Sequence, residues 1–152
     1  NLGLAWCLKL TLKEQMLSGS IITKIKFLEK IGADEKSHSS RTLLDHLLGT
    51  YNKLKEWNAP KYLQDAGLFH SVYGTSSFKH QSTNNRDAVR DLIGEQAEEI
   101  VFMFCSTEAP RVEKFRNMQD GQLKADLLLL SEANSEDMIE ARQDDNLDFY
   151  NV

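Results

Sequence analysis

Three of the four histidines, His38, His46 and His70, fall within residues 38–75, and these are the side chains best suited to chemistry in this chain. His46 sits at the edge of an apolar stripe, Leu43, Leu44, Leu47, Leu48, Tyr51, Leu54 and Trp57, spaced as one face of an amphipathic helix. Thr42 and Thr50 lie one turn before and one turn after it, so a short polar stripe runs beside the apolar one. His70 ends an almost wholly apolar run, Ala66-Gly67-Leu68-Phe69. Two imidazoles so placed meet only across a pair of helices. Mn, Fe and Zn take neutral imidazole together with carboxylate, because a divalent ion needs several lone pairs converging on one point. The same placement suits core histidines hydrogen-bonded to a hydroxyl such as that of Thr42, Thr50 or Tyr73. His38 lies eight residues before His46, about 80° round the axis if the helix extends that far; it could supply a further donor or hydrogen-bond another ligand. His80 stands in a polar interval and reads as a solvated loop residue.

The elements that must hold these residues are helical. A serine among Ser37, Ser39 and Ser40 is the expected N-cap of the central helix, and Asn58-Ala59-Pro60 ends that helix and starts the next. The helix pair then covers residues 40–57 and 61–72. Residues 74–86, GTSSFKHQSTNNR, form the most polar and least periodic interval, a loop long enough to be functional or mobile. Upstream, Ser20 can cap a helix carrying Ile21, Ile22, Ile25, Phe27 and Leu28 that stops near Gly32. The leucine-rich first ten residues fit strand alternation and helical spacing equally well. From Asp87, the residues Val89, Leu92, Ile93, Ala97, Ile100, Val101 and Phe104 give a core stripe, Pro110 restarts the chain, and Leu127 to Leu130 would be apolar on all sides of a buried helix. The expected fold is all-α, a bundle of five to seven helices.

The 152 residues, 41% of them hydrophobic, suffice for one core and one domain. With 23 acidic against 18 basic residues, net charge points to no nucleic-acid partner. No apolar run approaches the ~18–20 residues that span a bilayer, so peripheral association is the most a membrane would see. Cys7 and Cys105 have no CxxC spacing and read as free thiols in a reducing intracellular compartment, the cytoplasm or an organelle interior reached after loss of a targeting peptide. Residues 131–152 hold seven acids and one base, Arg142. The chain therefore divides into an N-terminal extension (1–20), a helical domain (21–134) and an acidic tail (135–152). The two ends are the expected contacts with a protein partner, since they bracket the core and differ from it in character.

Leu68-Phe69-His70-Ser71-Val72 resembles the His-Asp signature of the HD superfamily of helical metal-dependent phosphohydrolases, especially the guanosine tetraphosphate hydrolases, with Ser71 where that family has Asp. His46, 24 residues before His70, matches the family's earlier histidine, and Ile93 to Val101 resembles the helix that follows the signature. Between Ile21 and Cys105 the chain more closely resembles an uncharacterised relative, through H-S-x-x-T-L-x-x-H-L-x-G-T at residues 38–50 and A-G-L-F-H-S-x-Y-G-T at residues 66–75. The resemblance implies an HD-like bundle and a divalent metal (Mn, Fe or Zn) on His46 and His70. It implies Glu132 as a third ligand, because Leu130-Ser131-Glu132 stands where the hydrolases carry a late L-A-D, and His38 is the candidate fourth. Tyr73-Gly74-Thr75 stands where they have a Glu-Asp pair that activates water. General-base help is worth about 100- to 10,000-fold, so its absence predicts a lost or altered reaction. Ser71 lacks the G-x-S-x-G elbow of a serine nucleophile. The expectation is a degenerate HD-like domain serving as an accessory or interaction subunit; the alternative is a metal-dependent phosphohydrolase or oxygenase acting on a small phosphorylated or polyol substrate.

Overall fold

Several helices stop beside a glycine or ahead of a proline: the first before Gly32, the second before Pro60 and the fourth at Gly94. A computed structural model describes residues 12–150 apart from residue 39, with side chains for residues 21–38 and 40–144. Among the described residues there are seven helices and one small hairpin, so the fold is all-α. The ambiguous first ten residues, and with them the N-terminal partner contact, lie outside the described residues, as does Ser39.

Helix α1 (Leu12–Lys30) runs through Ser20 instead of starting there. The correction has a local cause: Lys13, Glu14, Gln15 and Met16 are good helix formers and carry the helix upstream. Strands β1 (Ser37–His38) and β2 (Arg41–Thr42) pair antiparallel, Ser37 opposite Thr42 and His38 opposite Arg41. This pairing keeps Thr42 extended, which is what an N-cap needs, and Thr42 caps helix α2 (Leu43–Glu56) in a capping box with Asp45. No serine takes that position. His38 is consequently on a strand and not on an extension of α2.

Helix α3 (Lys61–Phe69) follows Pro60 and packs along α2. After the loop come α4 (Arg86–Ile93) and α5 (Glu95–Ser106), which the apolar stripe alone would have joined into one helix. Gly94 separates them with φ at +86°, a conformation that costs other residues strain. Helix α6 (Arg111–Arg116) starts after Pro110, and α7 (Gln122–Tyr150) runs back across the bundle.

The core lies between α2, α3, α5 and α7, where Leu47, Leu68, Phe69, Ile100, Phe104 and Leu127 have at most 1% of their surface exposed. Of the leucine run, Leu127 and Leu130 are fully buried while Leu128 and Leu129 are partly so. The boundary expected at residue 134 falls inside α7: acidic sequence begins halfway along a packed helix, and Asp137 is buried against α2. No helix among the described residues is long and apolar enough to cross a membrane.

Candidate functional site

His46, on the second turn of α2, and His70, just past the end of α3, face each other across the α2–α3 pair with their Nε2 atoms 3.0 Å apart. Asn134 of α7 completes the group: its Oδ1 lies 3.0 Å from each of the two Nε2 atoms. The other ring nitrogens fix the tautomers. His70 Nδ1 donates to the Gly67 carbonyl at 2.7 Å, and His46 Nδ1 donates to Asp137 Oδ2 at 2.6 Å. Both Nε2 atoms are therefore turned toward one point beside an amide. Burial, and after it the neighbouring His46, push the His70 pKa down to about 3, so His70 stays neutral.

This arrangement is a fit test for a cation. Three donors at 3.0 Å edges match one face of an octahedron with metal–ligand distances of about 2.1 Å, whereas a tetrahedral ion at that distance spreads its ligands to about 3.4 Å. The donors suit an octahedral ion better than zinc. The set is two imidazoles and one amide oxygen; among the described residues no three His, Cys, Asp or Glu side chains are grouped to hold a metal.

Asp137 orients the centre from outside it. Burial would raise its pKa, but hydrogen bonds from His46 and Arg41 hold it below the usual carboxylate value. Arg41 pairs with the same Oδ2 that takes the His46 proton, so β2, α2 and α7 meet on one oxygen atom. Gly49 makes this approach feasible: a Cβ there would stand 2.6 Å from Asp137 Cγ and closer still to Oδ1. A glycine inside α2 is thus explained by what it leaves room for.

Of the four residues expected at a metal, the structure brings together His46 and His70. Glu132 is exposed on α7, because it lies two residues, about 200° of helix, beyond the buried Leu130. His38 does not join the triangle; its ring stacks on His46, with centroids 4.3 Å apart and planes 5° from parallel, and its Nδ1 is buried without a hydrogen-bond partner among the described residues. Burial first, then the charges of His46 and Arg41, push its pKa down to about 4. The hydroxyls expected to satisfy the imidazoles are engaged elsewhere. Thr42 caps α2, Thr50 donates to the His46 carbonyl, and Tyr73 donates to Glu98. His80 is in the loop, as expected, near Phe78.

A cavity of about 270 Å³ opens on the cluster, lined by His38, His46, His70 and Asn134 and, beyond them, by Ser71, Thr75, Ser77, Phe104 and Arg111. No carboxylate is among its lining residues. Arg111 lies over the Phe104 ring, 4.0 Å from its centroid. The Cys105 thiol behind donates to the His70 carbonyl, and burial pushes its pKa up to about 12, which leaves it no nucleophile. Asn134, Asp137, Arg41 and Arg111 are the site residues that the reading of the sequence missed. The signal for the two on α7 was the stripe through Leu127 and Leu130, which reaches 134 and 137 at helical spacing.

Residues 27–109 match the model of a family described as a domain of unknown function, DUF6817, and with more than half its length inside that match the chain belongs to this family. No curated protein and no solved structure matches the chain.

Proposed function

We propose that this member of the DUF6817 family is a binding domain centred on a divalent cation held by His46, His70 and Asn134, a degenerate HD-like bundle acting as an accessory or interaction subunit and not as a phosphohydrolase. The observation that carries the reading is the triangle of donors at 3.0 Å. Two imidazole nitrogens at that separation need a proton or a cation between them, and both rings are locked in place by Gly67 and Asp137. A bound cation would supply a concentrated positive charge for an anionic or hydroxylated ligand in the cavity.

The carboxylates support a binding role over hydrolysis. Asp137 is taken up by His46 and Arg41, and Glu98 by Arg86 and Tyr73, so neither stands free to activate water. The test is metal content and affinity of the purified chain, with Mn²⁺ and Zn²⁺ titrated by calorimetry. His46→Ala or His70→Ala should empty the site, because two remaining donors rarely hold a divalent ion against water. Asn134→Asp should tighten it. In the rival arrangement Asn134 turns its amide over and donates one hydrogen to each imidazole, with no ion involved. Under that arrangement Asn134→Asp would destabilise the fold and bind no metal, an outcome that would sink the cation reading.

A further inference from the structure

We infer that the same cavity holds, beside the imidazoles, a seat for a tetrahedral oxyanion, a phosphoryl or sulfuryl group on a small ligand, formed by Arg111, Ser71, Thr75 and Ser77. This deepens the preceding reading by naming the ligand class, and it rests on that cavity being a binding site, though not on the cation itself.

Two observations carry it independently. First, Arg111 is half-buried with no acid beside it. Its one hydrogen bond among the described residues runs from Nη1 to the Phe104 carbonyl at 3.2 Å, and no ion pair is formed. Phe104, 1% exposed, supports the guanidinium face-on. The other N–H groups of the fork have no acceptor among the described residues. A partly desolvated cation left unpaired is unfavourable until an anion reaches it. Secondly, Ser71 is 3% exposed, lines the cavity, and its Oγ is buried with no hydrogen-bond partner among the described residues. Buried hydroxyls are almost always satisfied, so an orphan on a cavity wall points to a ligand atom.

Geometry narrows the class. The donors come from different elements: Ser71 and Thr75 from the turn after α3, Ser77 from the loop, Arg111 from α6. Thr75 Oγ1 already accepts from the Phe78 amide at 2.9 Å, which leaves its hydrogen to donate. Donors arriving from several directions suit an oxyanion with acceptors all round, while a carboxylate accepts in one plane. The volume, about 270 Å³, lies below the ~300–1,000 Å³ of pockets for drug-sized ligands and fits a compact molecule.

The experiment titrates the full chain with inorganic phosphate, followed by calorimetry and ³¹P NMR, once with chelator and once with Mn²⁺. Saturable one-to-one binding is expected without metal. Arg111→Gln should weaken it by about tenfold or more, since a charge-assisted fork is lost, and Ser71→Ala should weaken it severalfold. Mn²⁺ affinity of both variants, read by electron paramagnetic resonance, should equal that of the wild type. His46→Ala should behave in reverse, losing Mn²⁺ and keeping phosphate in the chelator arm, so the two readings fail separately. Arg111→Lys serves if Arg111→Gln does not fold; it too must bind more weakly, because an ammonium cannot offer the fork. Sulfate should displace phosphate and acetate should not. Absence of saturable binding, full affinity in the Arg111 variants, or displacement by equimolar acetate would overturn the proposal.

Discussion

Gly49→Ala is a substitution that in most helices stabilises. Replacing a glycine in a helix interior by alanine is worth about 0.5–1 kcal/mol in favour of the variant. Here the added Cβ would stand 2.6 Å from Asp137 Cγ, with Oδ1 nearer still, so the carboxylate must leave its place. Asp137 is 5% exposed and receives hydrogen bonds from both His46 and Arg41. Charge-assisted bonds of this kind contribute about 1.5–3 kcal/mol each. Two such bonds make about 3–6 kcal/mol; offset by the helix gain, the net loss is about 2–5 kcal/mol, and a chain of this size melts lower by roughly 4–20 °C for such a loss. The assay is thermal and urea unfolding of four proteins: wild type, Gly49→Ala, Asp137→Ala and the double variant. With Asp137 already removed the clash disappears, and Gly49→Ala should then be neutral or stabilising, so the cycle yields a coupling of about 2–6 kcal/mol. A Gly49→Ala protein as stable as the wild type, or equally destabilised in both backgrounds, would refute the account of why glycine stands there.

Glu98 gives a pH prediction. It is 1% exposed; burial would raise its pKa, but hydrogen bonds from Arg86 and Tyr73 hold it below the usual carboxylate value. A depressed folded-state pKa contributes stability above the unfolded value of about 4.3, and that contribution is lost as pH falls through the folded value. Glu98→Gln should therefore be about 3 kcal/mol less stable than wild type at neutral pH, with the gap closing in acid; a gap independent of pH in urea melts would contradict this. Ser71→Asp places a carboxylate beside His70 and should tighten Mn²⁺ roughly tenfold while repelling phosphate, yet a phosphate-release assay should show no hydrolysis of guanosine tetraphosphate, since the new carboxylate is taken up by the cation and no second acid lines the cavity to activate water. Removing residues 143–152 should leave the melting temperature nearly unchanged, because Gln143 and Asp144 are exposed, and should weaken assembly if the acidic end docks a partner; a large drop in melting temperature would show that this end belongs to the fold.

Helix periodicity made the central pair readable, and with it His46 and His70, because each imidazole lies on a stripe that had to be buried. The late member of the cluster differs from the one expected for a physical reason. Glu132 was the acid nearest the leucine run, but residues are buried by phase, and the stripe through Leu127 and Leu130 turns Asn134 and Asp137 inward. Composition obscured this, since a run of acids reads as solvated tail while one of those acids is needed inside to hold a histidine. Gly94 was illegible in another way, because the apolar stripe keeps its phase across the break between α4 and α5. Arg111 carries no local pattern at all; only the approach of α6 to α5 puts it over Phe104.

Helix α7 closes the site from a long way along the chain: Asn134 lies 88 residues beyond His46, and Asp137 lies 91. During synthesis, at about 5–20 residues per second, α2 and α3 emerge several seconds before the helix that completes their site. Until then Arg41 and His46 lack the Asp137 carboxylate that pairs with both in the finished fold. Contacts this distant also repay loop-closure entropy last when the finished chain folds. Capture of an ion at His46 and His70 would thus report that the polypeptide has been made as far as α7 and has folded, and a ribosome stalled before residue 134 would carry a domain that cannot be loaded.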